Sequence, residues 1–251
     1  MADVWESVIS DFLHGRRALP SPLDRWQASY RGGAAGKVEL DAFPEPYLGG
    51  LDREPRMVFL ALNPGRADLR FQSETGVFAQ EIRTMGSYRA WAASWPYLRD
   101  PWVAEKGKNR HHSGRLEFMR RWCGAALEPD AMLALELYPW HSTRVTGAIR
   151  PDPSIVREFI WDPIEELEDP LVFAFGAPWF PILEGKLGLE VIRRLGREGR
   201  RYPTRVASRT VMVMRSPGGA LVVAEKHEGA AGPPSAEEVC LLKEELADLT
   251  G

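Results

Sequence analysis

The sequence predicts a single α/β domain over residues 1–251, built on a central, largely parallel four-stranded sheet flanked by helices. Three observations lead there. Short apolar runs without polar alternation stand at 57–62, 131–138 and 171–175, the pattern of strands buried on both faces. Turn-forming residues stop each of them: Asn63-Pro64-Gly65, Pro139 and Gly176. Segments of helical period lie between them, and no repeat or low-complexity linker divides the chain.

The elements follow in order. Val4, Trp5, Val8, Ile9, Phe12 and Leu13 share one helical face. Residues 15–55 are rich in Gly, Pro and charge and read mostly as loop, with a short helix near 23–30, so residues 1–50 form an N-terminal extension. After the first strand, residues 77–95 read as helix interrupted at Gly86-Ser87, and 114–123 as a second helix. Ser154 is placed to cap a helix running to about 167, and a short helix follows near 179–186. The runs 209–214 and 220–225, separated by Ser216-Pro217-Gly218-Gly219, read as a hairpin or a turn between neighbouring strands. Ser235 with Glu238 has capping-box spacing and starts the last helix. In such a sheet ligands bind at the carboxyl ends of the strands. Attention therefore falls on Asn63-Pro64-Gly65, on the stretch from Glu136 to His141, and on Lys226-His227-Glu228.

Composition narrows the function classes. A net charge of −3 rules out a polycation, so nucleic-acid contact needs a local basic surface. Two cysteines, Cys123 and Cys240, give no disulfide framework and no four-cysteine metal site. No apolar run reaches the length of a membrane span, and the acidic, amphipathic start is unlike a signal peptide. These features predict a cytoplasmic protein. No Gly-x-x-x-x-Gly-Lys loop supports a nucleotide hydrolase.

Four motifs then occur in a meaningful order over roughly residues 57–185. They are Ala61-Leu62-Asn63-Pro64-Gly65 at a strand end, Gln72-Ser73-Glu74-Thr75-Gly76-Val77-Phe78-Ala79, the stretch from Ser113-Gly114 through Phe118 to Trp122-Cys123-Gly124, and Leu135-Glu136-Leu137-Tyr138-Pro139. In this order they resemble the uracil-DNA glycosylase superfamily, most of all its single-strand-selective monofunctional branch. The chain departs from that pattern at Ala61, where the family has glycine, and in lacking a proline after Val77. The resemblance implies a monomeric, cofactor-free and metal-free enzyme acting on DNA. Asn63 would position the attacking water, Phe78 would stack on the flipped base, and Gly65 and Gly76 would let backbone approach the substrate. A core aromatic is the other reading of Phe78. The family's His-Pro-Ser-Pro motif has its counterpart at Lys226-His227-Glu228, where His227 would donate to the departing base. The rival match, Arg215-Ser216-Pro217-Gly218, lacks a histidine, and a solvated loop histidine is the plain alternative for His227.

Glu136 is the most informative departure, because the uracil-reading branch places asparagine there. A carboxylate accepts from the exocyclic amine of cytosine, which points to a cytosine-type base. Its structural alternative is an ion pair with an arginine. Tyr138 follows as a further base contact. Tyr88, Trp91, Trp95, Tyr97 and Trp102 either pack the core or line a pocket enlarged for an attached sugar, as in a bacterial anti-phage branch that removes glucosylated hydroxymethylcytosine. Lys106, Lys108, Asn109, Arg110, His111, His112 and Arg115 read as a flexible basic stretch, either a solvated loop or an arm that contacts phosphates. Arg144 is a further candidate phosphate contact, and His141 and Ser142 candidates for base or phosphate. Two further readings stand beside this one: repair of uracil or hydroxymethyluracil, and a non-catalytic module that binds modified DNA.

Overall fold

A computed structural model describes residues 1–30, 36–143, 151–196, 209–227 and 233–249. A seven-stranded mixed sheet runs through it in the order β1-β3-β2-β4-β7-β6-β5. The strands are β1 (Tyr47–Leu48), β2 (Met57–Ala61), β3 (Met132–Glu136), β4 (Leu171–Phe175), β5 (Glu190–Gly196), β6 (Arg209–Arg215) and β7 (Leu221–His227). The α/β class holds, but the expected four strands become seven. β3, β2, β4 and β7 are mutually parallel, while β1, β6 and β5 add antiparallel pairings at the two sides. β1 lies inside a segment read as loop. β5 carries Glu190, Arg193 and Arg194 and is largely solvent-facing, so it lacks the apolar signal of a central strand; charge on an edge strand also discourages edge-to-edge pairing.

Every residue of β2 and β3 is buried, which is why their sequences are apolar throughout. Helix α1 (Ala2–Leu13) buries Trp5, Val8, Ile9, Phe12 and Leu13. Its Glu6 carboxylate accepts from the backbone N–H groups of Tyr88 and Arg89 at 2.8 and 3.0 Å. Trp26 of α2 (Leu23–Ser29) packs with Trp5, Trp140 and Phe159. The N-terminal segment is thus part of the core, not an appendage.

Next come α3 (Leu69–Gln72), α4 (Val77–Met85), α5 (Tyr88–Ala93), α6 (Trp102–Lys106) and α7 (Arg110–Cys123). The expected break falls at Gly86, whose φ of 81° ends α4, and Ser87 caps α5. α7 starts four residues before the predicted 114, because the Asn109 side chain accepts from the N–H groups of His111 and His112. The stretch read as a flexible basic arm therefore ends in a helix. Asp152, not Ser154, caps α8 (Pro153–Val156). That helix continues through a π-helical segment, Arg157–Trp161, into α9 (Asp162–Glu165), where Pro163 supplies no N–H. α10 (Trp179–Pro181) leads into a second π-helical segment, Ile182–Lys186. The β6–β7 connection is a hairpin, and α11 (Ala236–Leu246) opens with the predicted Ser235–Glu238 capping box and packs on α7. No helix among the described residues is long and apolar enough to cross a membrane.

Candidate active site

Parallel pairing brings the carboxyl ends of β3, β2, β4 and β7 to one side of the sheet. Ala61 is in register with Glu136, so Asn63 stands two residues further out and Glu136 lies deeper, about 7 Å along the strand direction. Beyond the strands the two chains stay laced together: Leu137 N–H donates to Ala61 O, Tyr138 N–H to Leu62 O and Ser142 N–H to Gly65 O. The backbone of His227 ends β7, two strand positions from β2, on the order of 10 Å across. Its side chain lies outside the described residues, as does Arg144 altogether.

Asn63 is anchored. Its side-chain N–H₂ donates to Ser142 O and to Ser142 Oγ, both at 3.0 Å. This fixes the amide plane and leaves Oδ1 to accept from a water. Ser142 is therefore Asn63's partner and not a free contact for base or phosphate. Gly65 has φ 86°, and a Cβ there would meet nothing within 4 Å, so the space beside its backbone is open. Gly76 is different: a Cβ would stand 2.4 Å from Phe71 O, so the glycine serves close packing inside the protein.

Below Asn63 lies a buried polar floor. Glu136 is 6% exposed and Arg115 is fully buried; Arg115 Nη2 lies 3.5 Å from Glu136 Oε1. Burial pushes the Glu136 carboxyl up to about 7, against the lowering influence of Arg115. Desolvation lowers Arg115's own pKa. On the β1 side, Glu45 Oε1 accepts from the Tyr97 hydroxyl and lies 3.2 Å from His141 Nε2. Gln72 Nε2 donates to Tyr97 at 2.6 Å, and His141 Nδ1 lies 3.2 Å from Gly65 O. His141 is thus a buried support for the 63–65 turn, not a group reaching for DNA. The ion pair with an arginine, the alternative weighed for Glu136, is present, but it is loose. Arg115 Nε and Nη1, Glu136 Oε2, His112 Nδ1 and His141 Nε2 are all buried without a hydrogen bond.

Other expectations are corrected. Phe78 is fully buried, its ring among Phe71, Trp91, Tyr97 and Trp102, which makes it core. Tyr138 turns away from Glu136, donating from its hydroxyl to Gln27 O and packing on Tyr30 and Trp140. Tyr88, Trp91, Trp95 and Tyr97 are core as well; Trp102 alone of that group is only half-buried. Lys106 is paired to Asp68 and Glu105. Lys108 and Arg110 are exposed, as is Arg66 beside the Asn63 turn. His111 is exposed, and the nearby Arg115 charge pushes its pKa down. Among the described residues no group of His, Cys, Asp or Glu is arranged to hold a metal ion.

Sequence reasoning set Arg115 in a basic stretch and did not single out Glu45, yet both belong to this buried polar cluster. A signal existed for Arg115: it shares a face with His112, Met119 and Trp122 at helical spacing, an apolar face where arginine is out of place. Glu45 carried no such signal. No protein-family model, curated protein or solved structure matches this chain.

Proposed function

We propose that this protein is a monofunctional DNA glycosylase, acting as a monomer in a bacterial cytoplasm, that excises a cytosine-type base and leaves an abasic site. The observation that carries the reading is the incompletely bonded Arg115–Glu136 floor beneath an anchored asparagine at the carboxyl ends of parallel strands. A buried polar floor with unused donors and acceptors is suited to a polar ring, and a base rotated out of a duplex presents one.

In this reading Lys108, Arg110 and Arg66 meet phosphates. The base enters edge-first, and Glu136 accepts from its exocyclic amine. The bond from C1′ to the base nitrogen breaks, and the base leaves with the electron pair. A water held by Asn63 Oδ1 adds to the oxocarbenium-like C1′, and the proton it gives up ends on the base. His227 donates to the base oxygen as charge builds there. Glucosylated hydroxymethylcytosine is a substrate to test; of the aromatic residues that suggested room for the sugar, Tyr88, Trp91, Trp95 and Tyr97 are core, so the case for that base rests mainly on Glu136.

The test is an incubation with oligonucleotides carrying cytosine, hydroxymethylcytosine, its glucosylated form, uracil or hydroxymethyluracil, scored for alkali-labile sites. Asn63→Ala is the control, expected to slow cleavage about 100-fold or more. Cleavage at a cytosine-type base, lost in the control, supports the proposal. Cleavage at uracil or hydroxymethyluracil alone replaces it with ordinary repair. Tight binding without cleavage replaces it with a binding module.

A further inference from the structure

The Arg115–Glu136 contact is unusual for a buried ion pair. Arginine and carboxylate normally meet through short, often paired hydrogen bonds, and a buried pair is stable only when its remaining donors and acceptors are also satisfied. Here one contact of 3.5 Å joins them, and Nε, Nη1 and Oε2 have no partner. His112, one turn earlier on α7, leaves Nδ1 unpaired while its ring stacks on Tyr97. Buried groups left unpaired in this way call for an explanation, and placement for a polar ligand is one. The unpaired atoms come from α7 and the end of β3, 21 residues apart in the chain, and meet only in the fold. The Glu136 side chain keeps 7% exposure and Arg115 none, so the guanidinium lies deeper than the carboxylate.

We infer that Arg115 and Glu136 together read a base edge on which an amino group stands beside a ring acceptor, the edge of cytosine-class bases. Glu136 Oε2 accepts from the amine, and an Arg115 N–H donates to the adjacent ring nitrogen. Uracil fits less well: its one edge donor lies between two carbonyls, which sets a carbonyl oxygen against the second carboxylate oxygen. Arg115 also faces the ring on which negative charge collects as the base departs, so it determines specificity and supports the leaving group. The inference rests on the base-excision reading and deepens it.

The experiment compares wild type, Arg115→Lys and the double variant Arg115→Met/Glu136→Gln, each first checked for cooperative unfolding. Arg115→Lys keeps the charge and removes the planar fork. The double variant removes both charges, so neither is left buried alone. Two readouts are taken: the ratio of kcat/KM on cytosine-type to uracil-type oligonucleotides, and an NMR titration of the protein with free cytosine and free uracil. The expected result is a roughly 10-fold or greater fall in the ratio in both variants. The cytosine-induced shifts around His112 and Arg115 should also be lost in the double variant. A folded Arg115→Lys and double variant with the wild-type ratio overturn the inference while base excision stands. A wild type that cleaves no base, yet shows cytosine-selective shifts at His112 and Arg115, sinks the excision reading and keeps the reader. Absence of both cleavage and shifts overturns the two together.

Discussion

Arg115 and Arg209 each face a buried glutamate, one at each side of the parallel strands; Arg115 is fully buried and Arg209 only partly. Arg209 on β6 is tightly held: Nη1 reaches Glu225 Oε1 and Nε reaches Glu238 Oε1, both at 2.5 Å. Glu238 in turn accepts from the Ser235 N–H at 2.6 Å, so β6, β7 and the start of α11 are joined through one guanidinium. Arg115 on α7 has a single long contact to Glu136 and two nitrogens without partners. Burial raises Glu225 and Glu136 alike, each to about 7, and in each the arginine works against that rise. Charge and burial therefore do not separate the two carboxyls. Hydrogen-bond saturation does: a guanidinium that has met its acceptors is holding elements together, and one that has not is placed to meet something else.

The largest effect should come from cutting the tight network. Arg209→Met leaves Glu225 and Glu238 without their cation and is expected to lose about 3–5 kcal/mol in urea denaturation at pH 8. Arg115→Met should cost clearly less, because it also removes unpaired buried donors. Equal losses would erase the contrast between the two arginines.

The carboxyls give the next test. With an ordinary value of 4.5 and a folded value of about 7, Glu136 and Glu225 each keep a proton in the native state that the unfolded chain has given up. Their contribution to stability is therefore full below about pH 4.5, is lost as pH rises to about 7, and stays lost above it. The loss is on the order of 3 kcal/mol for each group. Glu136→Gln should remove its share of that slope between pH 5 and 8. Glu136→Gln/Glu225→Gln should flatten the slope further. A single variant that keeps the wild-type slope would place Glu136's ionisation elsewhere.

Smaller effects sharpen the division. Ser235→Ala removes the capping oxygen of α11 and should cost about 1 kcal/mol in thermal unfolding, with base discrimination unchanged. Lys108→Ala and Arg110→Ala lie outside both networks. Each should leave stability within about 0.5 kcal/mol of wild type and lower the salt dependence of DNA binding by about one unit of slope. A change in base preference in either variant would show that reading is not confined to the buried floor.

Much of this organisation was legible in the sequence because it is local. Apolar runs at 57–62, 131–138 and 171–175 mark strands, Gly86-Ser87 breaks a helix, and Ser235 with Glu238 caps one, all through contacts within a few residues. The strand-end positions of Asn63 and Glu136 follow from the same patterns, since a turn after a buried strand fixes which end a residue occupies. Edge strands β1 and β5 escaped, because half-exposed strands need not be apolar and two-residue strands have no period.

The direction and partners of the side chains were decided by tertiary structure. Phe78 and Tyr138 carry motif positions but are turned into the core and toward α2, where rings from distant segments bury them. Arg115 reads as one cation in a basic stretch, yet α7 carries it against Glu136 and away from water. Glu45, from a segment read as loop, reaches His141 because β1 pairs beside β3. Sequence alone determined the central strands, most helices and the end of the sheet where the candidate site lies. Pairing among buried charges depends on distances between segments far apart in the chain, and only the packed fold sets those.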